Sequence, residues 1–241
     1  MLANSNKNLS SVMLEMRALA VGLIAITMPF KENILSYLDE MTDEVRQVGA
    51  ANTVIRRDDK LFGYNTDVDG IEYALRSLFL SNKNVLIIGA GGAARAAGYY
   101  LQQKKSHLFW LNRTEEHTLP LIKKFGGNSV DRKDIDDLPL DIIIHATPLG
   151  MFPEIDASPL LNYQFKRNQF VFDMVYRPPN TALLKKAKLH GAACISGLDM
   201  FIGQGLKQIE IWLNKPILKA ELFDLIKVKI EKQQTSSEER L

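Results

Sequence analysis

The chain has 241 residues, 46% hydrophobic and 24% charged, which suits one large or two smaller folded domains. A net charge of +2 offers no electrostatic footprint for nucleic acid or for an acidic membrane surface. Cys194 is the single cysteine, so no internal disulfide can form, which fits a cytoplasmic protein, and no apolar run reaches bilayer length.

Leu9, Val12, Met13, Met16 and Leu19 recur at helical spacing, with Ser10 or Ser11 available as a cap. Residues 22–27 read as a buried strand stopped by Pro29, and 31–40 as a short helix. Strands at 51–55 and 61–64 flank the polar turn Arg57-Asp58-Asp59-Lys60 and form a hairpin. A helix is expected over 69–80. From Asn84 to Ile195 apolar strands alternate with helices, the pattern of a parallel sheet with right-handed crossovers. Helices at 200–213 and 218–230 close the chain, and the polar residues 231–241 are expected to fray. The regular βα repeat begins only after Ser81. The expected fold class is therefore α/β, with two α/β domains. Residues 1–80 plus 198–241 form the first, and residues 81–197 form a Rossmann-type parallel sheet, with the C-terminal helices returning to the first domain.

Residues 84–97 carry the strongest local signal. The strand Asn84-Val85-Leu86-Ile87-Ile88 runs into Gly89-Ala90-Gly91-Gly92-Ala93-Ala94 and then into an alanine-rich helix. The pattern is G-x-G-x-x-A, the dinucleotide fingerprint. Gly89 permits the tight turn, Gly91 lets the backbone approach a pyrophosphate, and Ala94 lets the helix pack closely on the sheet. The helix start then offers free N–H groups and a positive dipole end to phosphate. After the next strand comes Asn112-Arg113-Thr114, where NAD-binding folds usually place a carboxylate for the ribose 2′-OH. Arg113 would instead pair with a 2′-phosphate, and Asn112 and Thr114 can add neutral hydrogen bonds, so NADP is favoured. Glu115 and Glu116 pull mildly the other way. The histidines are scattered and form no metal set.

Hydride transfer to a carbonyl needs a proton donor at its oxygen. Lys31, in Thr27-Met28-Pro29-Phe30-Lys31, and Asp67, in Tyr64-Asn65-Thr66-Asp67, both fall just past expected strand ends, where ligand sites of α/β sheets lie. Asn52, after Gly49-Ala50-Ala51, could add a neutral hydrogen bond. On spacing alone a lysine and an aspartate are more often surface charges.

These motifs together resemble the shikimate dehydrogenase family over nearly the whole chain. The resemblance continues through Ala146-Thr147-Pro148-Leu149-Gly150-Met151, Asp173-Met174-Val175-Tyr176 and Gly197-Leu198-Asp199-Met200 with Gln204. It implies NADPH-dependent reduction of 3-dehydroshikimate to shikimate, on the route to chorismate and the aromatic amino acids. It implies Lys31 and Asp67 as the catalytic pair, and Thr27, Asn52, Tyr176 and Gln204 as ligands of the hydroxylated ring. It also implies Thr147, Met174, Gly197 and Met200 on the nicotinamide side, in a cleft between two α/β domains.

Against the family pattern, the sequence has no counterpart of an opening segment of about thirty residues, the size of a strand–helix unit, which carries a Ser-x-Ser loop for the substrate carboxylate. Ser5, Ser10 and Ser11 do not stand in a matching context. Such a loss is expected to expose a sheet edge and apolar core, and strand exchange in a homodimer is one way to cover it. Ala25 stands where the family usually has Asn or Ser, a lost hydrogen bond worth about 0.5–1.5 kcal/mol. His145 replaces a common Asn and reads as a satisfied structural histidine. His117 stands where a second basic clamp often follows Arg113. Two alternatives stay open: a quinate/shikimate or shikimate-like dehydrogenase with relaxed NAD/NADP use, and a dinucleotide-binding protein without turnover.

Overall fold

The computed structural model describes residues 9–18 and 21–238, with side chains through residue 233. Ser5, Leu19 and residues 239–241 lie outside the described residues.

The first unit runs α1 (Leu9–Ala18), β1 (Leu23–Ala25), a 3-10 turn (Asn33–Tyr37), β2 (Glu40–Met41), α2 (Asp43–Val48), β3 (Thr53–Arg57), β4 (Lys60–Tyr64) and α3 (Asp67–Leu75). Its strands lie in the order β1-β3-β4-β2, with β1 and β2 at the two edges among the described residues. The β3–β4 hairpin closes through Asp58 and Asp59 at φ 46° and 64°, the two left-handed residues of a type I′ turn, whose twist matches that of paired strands. Met13, Met16, Ile34, Val45, Val54 and Leu61 fill the core beneath this sheet.

One expected element of this unit differs, and one observed element is additional. The helix expected at 31–40 is only the 3-10 turn followed by β2, because Leu38 turns to extended backbone. The helix α2 has no counterpart among the expected elements. Thr42 caps it, its Oγ1 accepting from Val45 N–H at 3.2 Å, and Asp43 and Glu44 occupy its first turn. Gly49, at φ 75°, ends it. The start signal is present in the sequence, but six residues are too few to set up a periodicity.

The second unit contains β5 (Asn84–Ile88), α4 (Gly92–Gln103), β6 (His107–Leu111), α5 (Leu119–Phe125), β7 (Asn128–Ser129), β8 (Ile142–His145), β9 (Phe170–Asp173), α6 (Ala182–Leu189) and β10 (Ala193–Ser196). Its six strands are all parallel, in the order β10-β9-β8-β5-β6-β7. The central strands are covered on both faces, which is why Val85-Leu86-Ile87 and Ile143-Ile144 read as unbroken apolar runs and are fully buried. The chain leaves β5 toward β6 and β7, then returns to β8 on the other side. The crevice beyond the C-terminal ends of β5 and β8 is thus the switch point where such sheets bind ligands.

Two helices, α7 (Gly197–Leu213) and α8 (Lys219–Glu238), return to the first unit. Gly70 on α3 lets α7 approach so closely that a Cβ there would lie 2.6 Å from the Met200 carbonyl oxygen. Tyr73 of α3 stacks on Phe223 of α8 with ring centroids 4.2 Å apart. Fraying is expected from residue 231, but α8 is helical through Glu238, since Glu, Lys and Gln sustain helix without an apolar face. Ser10 does not cap α1. It lies inside the helix and shares a 2.7 Å hydrogen bond with the Tyr37 hydroxyl. Trp212 is 55% exposed, while Trp110 is fully buried with its indole N–H on the Gly126 carbonyl at 3.0 Å. No helix among the described residues is long and apolar enough to cross a membrane.

Candidate active site

Lys31 lies just past β1, and the N–H of Ala51 fixes its backbone by donating to the Lys31 carbonyl at 2.8 Å. Asp67 opens α3. The Lys31 Nζ meets Asp67 Oδ2 at 2.5 Å, with both side chains largely buried. Behind the pair, Asn52 is 2% exposed. Its Nδ2 reaches Asp67 Oδ1 at 2.9 Å, Thr66 Oγ1 at 3.0 Å and Gln204 Oε1 at 3.4 Å, while its Oδ1 accepts the Thr66 N–H at 2.8 Å. Asn65 donates to the Ala50 carbonyl at 2.8 Å and accepts the Asp67 N–H at 3.1 Å. Two residues to which spacing gives no role therefore support the pair: Asn65 holds the Asp67 backbone, and Thr66 holds Asn52, which reaches the carboxylate. The signal for them is only their place beside Asp67 in the Tyr64–Asp67 run.

The fingerprint turn faces this network. Gly89 stands at φ 118°, and a Cβ on it would lie 3.0 Å from both the Ala146 carbonyl oxygen and Thr147 Cγ2. Gly92 touches the other unit directly, since a Cβ there would meet Lys31 Cβ at 2.8 Å. Gly91 differs from both. It caps α4 at φ −81°, a conformation open to any residue, and a Cβ there would enter open space. No protein contact demands glycine at this position, so the space fits a group brought from outside, and a pyrophosphate at the N-terminus of α4 is the chemistry the turn supports. Ala90 and Ala93 flank the Gly91–Gly92 step, and Ala94 is fully buried against the sheet.

At the end of β6, Asn112 braces its own loop, Nδ2 donating to the Thr114 carbonyl at 2.8 Å. Arg113 is exposed there, with no carboxylate partner among the described residues, and Glu115, Glu116 and His117 follow on the surface. On the other side of the crevice, Gly197 lets the start of α7 sit against β9, where a Cβ would lie 2.3 Å from the Met174 carbonyl oxygen. Met200 is mostly turned into the α3–α7 packing at 7% exposure. Tyr176 stacks on Phe201 at 4.2 Å, both rings half-exposed, and Thr27 is exposed before the Met28–Pro29 pair. The Gln204 amide joins the network through its contacts to Asn52 and Thr66.

Two further contacts tie the units together. Arg95 on α4 pairs with Glu32 at 2.8 Å. Lys124 on α5 donates to the Arg46 carbonyl at the end of α2 at 3.0 Å, and burial first, then the nearby Arg95 charge, hold its pKa below the ordinary lysine value. Spacing carries no signal for either contact. A cavity of about 530 Å³, lined by Arg76, Asn180, Lys188, Asp199 and Lys227, lies apart from the site, and its Asp199 is neutralised by Lys227 at 2.7 Å. Among the described residues no group of three His, Cys, Asp or Glu could hold a metal ion.

A dinucleotide turn pressed against a buried lysine–aspartate pair, across the junction of two α/β units, defines an NADP-dependent oxidoreductase acting on a CH–OH group. The model of the shikimate dehydrogenase substrate binding domain matches residues 1–54, and that of shikimate / quinate 5-dehydrogenase matches residues 72–177. The chain belongs to the shikimate dehydrogenase family. It is 37% identical to an NADP(+) shikimate dehydrogenase of Methanococcus maripaludis over 88% of this chain and 79% of that one. It is equally identical, 37%, to that of Methanocaldococcus jannaschii over 91% and 83%. Among solved structures, a shikimate dehydrogenase in complex with NADP+ superposes with a TM-score of 0.84 at 34% identity, covering 95% of this chain and 82% of that one. The Thermus thermophilus enzyme with NADP(H) and shikimate gives 0.80 at 31%, covering 90% and 82%.

Proposed function

We propose that the chain interconverts 3-dehydroshikimate and shikimate with NADP(H) as redox partner. The observation that carries this reading is the contact of Lys31 with Gly92, which sets a proton-donating side chain beside the nucleotide turn. NADPH, when bound, supplies the hydride to the ring carbonyl. The Lys31 ammonium donates a proton to the oxygen as its charge develops, or polarises the carbonyl while water supplies the proton. Asp67 orients the amine and a ring hydroxyl. Asn52 holds Asp67 in place and can exchange its long Gln204 contact for a substrate hydroxyl. Thr27, Tyr176 and Gln204 complete the ring's polar surroundings. Residues 1–80 with 198–241 present the substrate, and residues 81–197 hold the cofactor through residues 89–94, Asn112, Arg113, Thr114, Thr147, Met174, Gly197 and Met200.

Purified protein given shikimate and NADP+ should produce NADPH absorbance, with slower turnover on NAD+. Arg113→Ala should narrow the NADP+/NAD+ ratio by about tenfold, the low end for a charge-assisted hydrogen bond at an exposed site. Absence of shikimate oxidation with either dinucleotide would overturn the reading, and faster oxidation of quinate would reassign the substrate.

A further inference from the structure

One buried polar chain lies outside the Lys31 network. His145 ends β8 and Asp173 ends β9, and both are fully buried. Asp173 Oδ1 lies 2.9 Å from His145 Nδ1 and accepts the Val175 N–H at 3.0 Å. Its Oδ2 accepts the Thr181 hydroxyl at 2.6 Å, a hydroxyl whose oxygen already receives the Leu184 N–H at 3.3 Å. Both carboxylate oxygens already accept, from Val175 and from Thr181, and an ionised carboxylate can only accept, so it takes the proton of the first contact from His145 Nδ1 as a hydrogen-bond donation. In the neutral ring Nε2 then carries only a lone pair, and its neighbour is the Thr147 hydroxyl. In that form both ring nitrogens are matched, a donor facing the Asp173 carboxylate and an acceptor facing the Thr147 hydroxyl. The Thr147 proton therefore points inward at His145, and its oxygen also accepts the Leu149 N–H at 3.3 Å. What Thr147 turns outward is lone-pair density.

Thr147 is placed to use it. It is half-buried, and its methyl group lies against Gly89 in the fingerprint turn. With Arg113 at the end of β6 and the phosphate position at the start of α4, a dinucleotide crossing the switch point carries its nicotinamide end toward β8 and β9. We propose that the Asp173–His145 pair fixes the polarity of the Thr147 hydroxyl, so that Thr147 meets the nicotinamide carboxamide as an acceptor for its N–H group. His145 is a positioning residue in this arrangement, and the assignment rests on the NADP reading given above.

The test compares calorimetric binding of NADP+ with that of its 3-acetylpyridine analogue, which keeps the carbonyl acceptor but has no N–H. Wild-type protein should prefer NADP+ by about threefold to tenfold, the worth of one neutral hydrogen bond. Thr147→Val should remove the preference and Thr147→Ser should retain it. His145→Asn gives Asp173 a replacement N–H donor but frees the Thr147 hydroxyl to rotate, so it should narrow the preference to about twofold or less. His145→Gln is the second variant of the same kind, and thermal melts followed by circular dichroism check that each variant is folded. A preference lost in Thr147→Val but undiminished in both His145 variants overturns the positioning role. A preference absent from the wild type, or surviving Thr147→Val, overturns the contact itself. Wild-type protein that binds neither dinucleotide overturns the cofactor reading and the proposal together.

Discussion

The two halves of the site are built from different materials. The nucleotide half is mostly backbone: Gly89 at a positive φ, Gly91 beside open space and the free N–H groups at the start of α4. The substrate half is mostly side chains: Lys31, Asp67, Asn52, Thr66 and Gln204 joined by hydrogen bonds across 2.5 to 3.4 Å. Its residues come from the loop after β1, the start of β3, the start of α3 and the middle of α7, far apart in sequence. A backbone site tolerates many side chains but few changes at its glycines. A side-chain network fails wherever one partner is withdrawn, because buried polar groups left without partners are costly.

Lys31 gives the sharpest way to break this contrast. Its stem packs against Gly92, so Lys31→Met keeps the aliphatic contact and removes only the ammonium. Turnover should fall by roughly 100-fold to 10,000-fold, the span for removal of a positioned proton donor, while NADP+ affinity stays near wild type. Steady-state rates alongside direct cofactor binding separate the two effects. A variant that keeps its turnover would mean that the side-chain half does not carry the chemistry.

Two glycines, one capping α4 and one inside it, sharpen the backbone half. Gly91→Ala adds a methyl group to open space, so the melting temperature should hold while NADP+ affinity drops by about tenfold or more. Gly98→Ala places a Cβ 2.5 Å from the rigid, buried indole of Trp110. It should cost about 1–3 kcal/mol of stability through overpacking and leave the cofactor affinity of the folded fraction intact. If Gly91→Ala instead unfolds the protein, its glycine serves packing and not a ligand.

The same contrast decides what can be read from the chain alone. The turn at 89–94 is legible because a strand, a glycine pattern and a helix start are local, and their residues are adjacent. The six parallel strands are legible for the same reason, except β7, whose two residues, Asn128 and Ser129, carry no apolar period. The substrate half becomes legible only through the motif run shared with the family, since nothing in the spacing of Lys31, Asp67 and Gln204 places them together. The links from Glu32 to Arg95 and from His145 to Asp173 are invisible in the sequence, because each depends on where two strands or helices end in space. His145 reads as a satisfied residue from its place at a strand end, but only the register of β8 on β9 names its partner.

The smallest expected effect lies at the edge of the side-chain half. Glu44, in the first turn of α2, is half-buried near Asp69, Glu72 and Lys207. Burial first, and then the Asp69 charge, push its pKa from the ordinary 4.5 up to about 7. The folded state therefore holds a proton that the unfolded chain releases between these values, so the stability contributed by Glu44 is fully present below 4.5 and is lost as pH rises through about 7. Glu44→Gln removes that loss. The variant should match wild type in acid and gain about 1 kcal/mol above neutral pH, a value reduced for solvent screening and for the favourable helix N-terminus. Thermal unfolding of both proteins across this range reads the difference directly. A gap that does not change with pH would assign Glu44 to the solvated surface, and would confine the charge-sensitive part of the substrate half to the residues around Lys31.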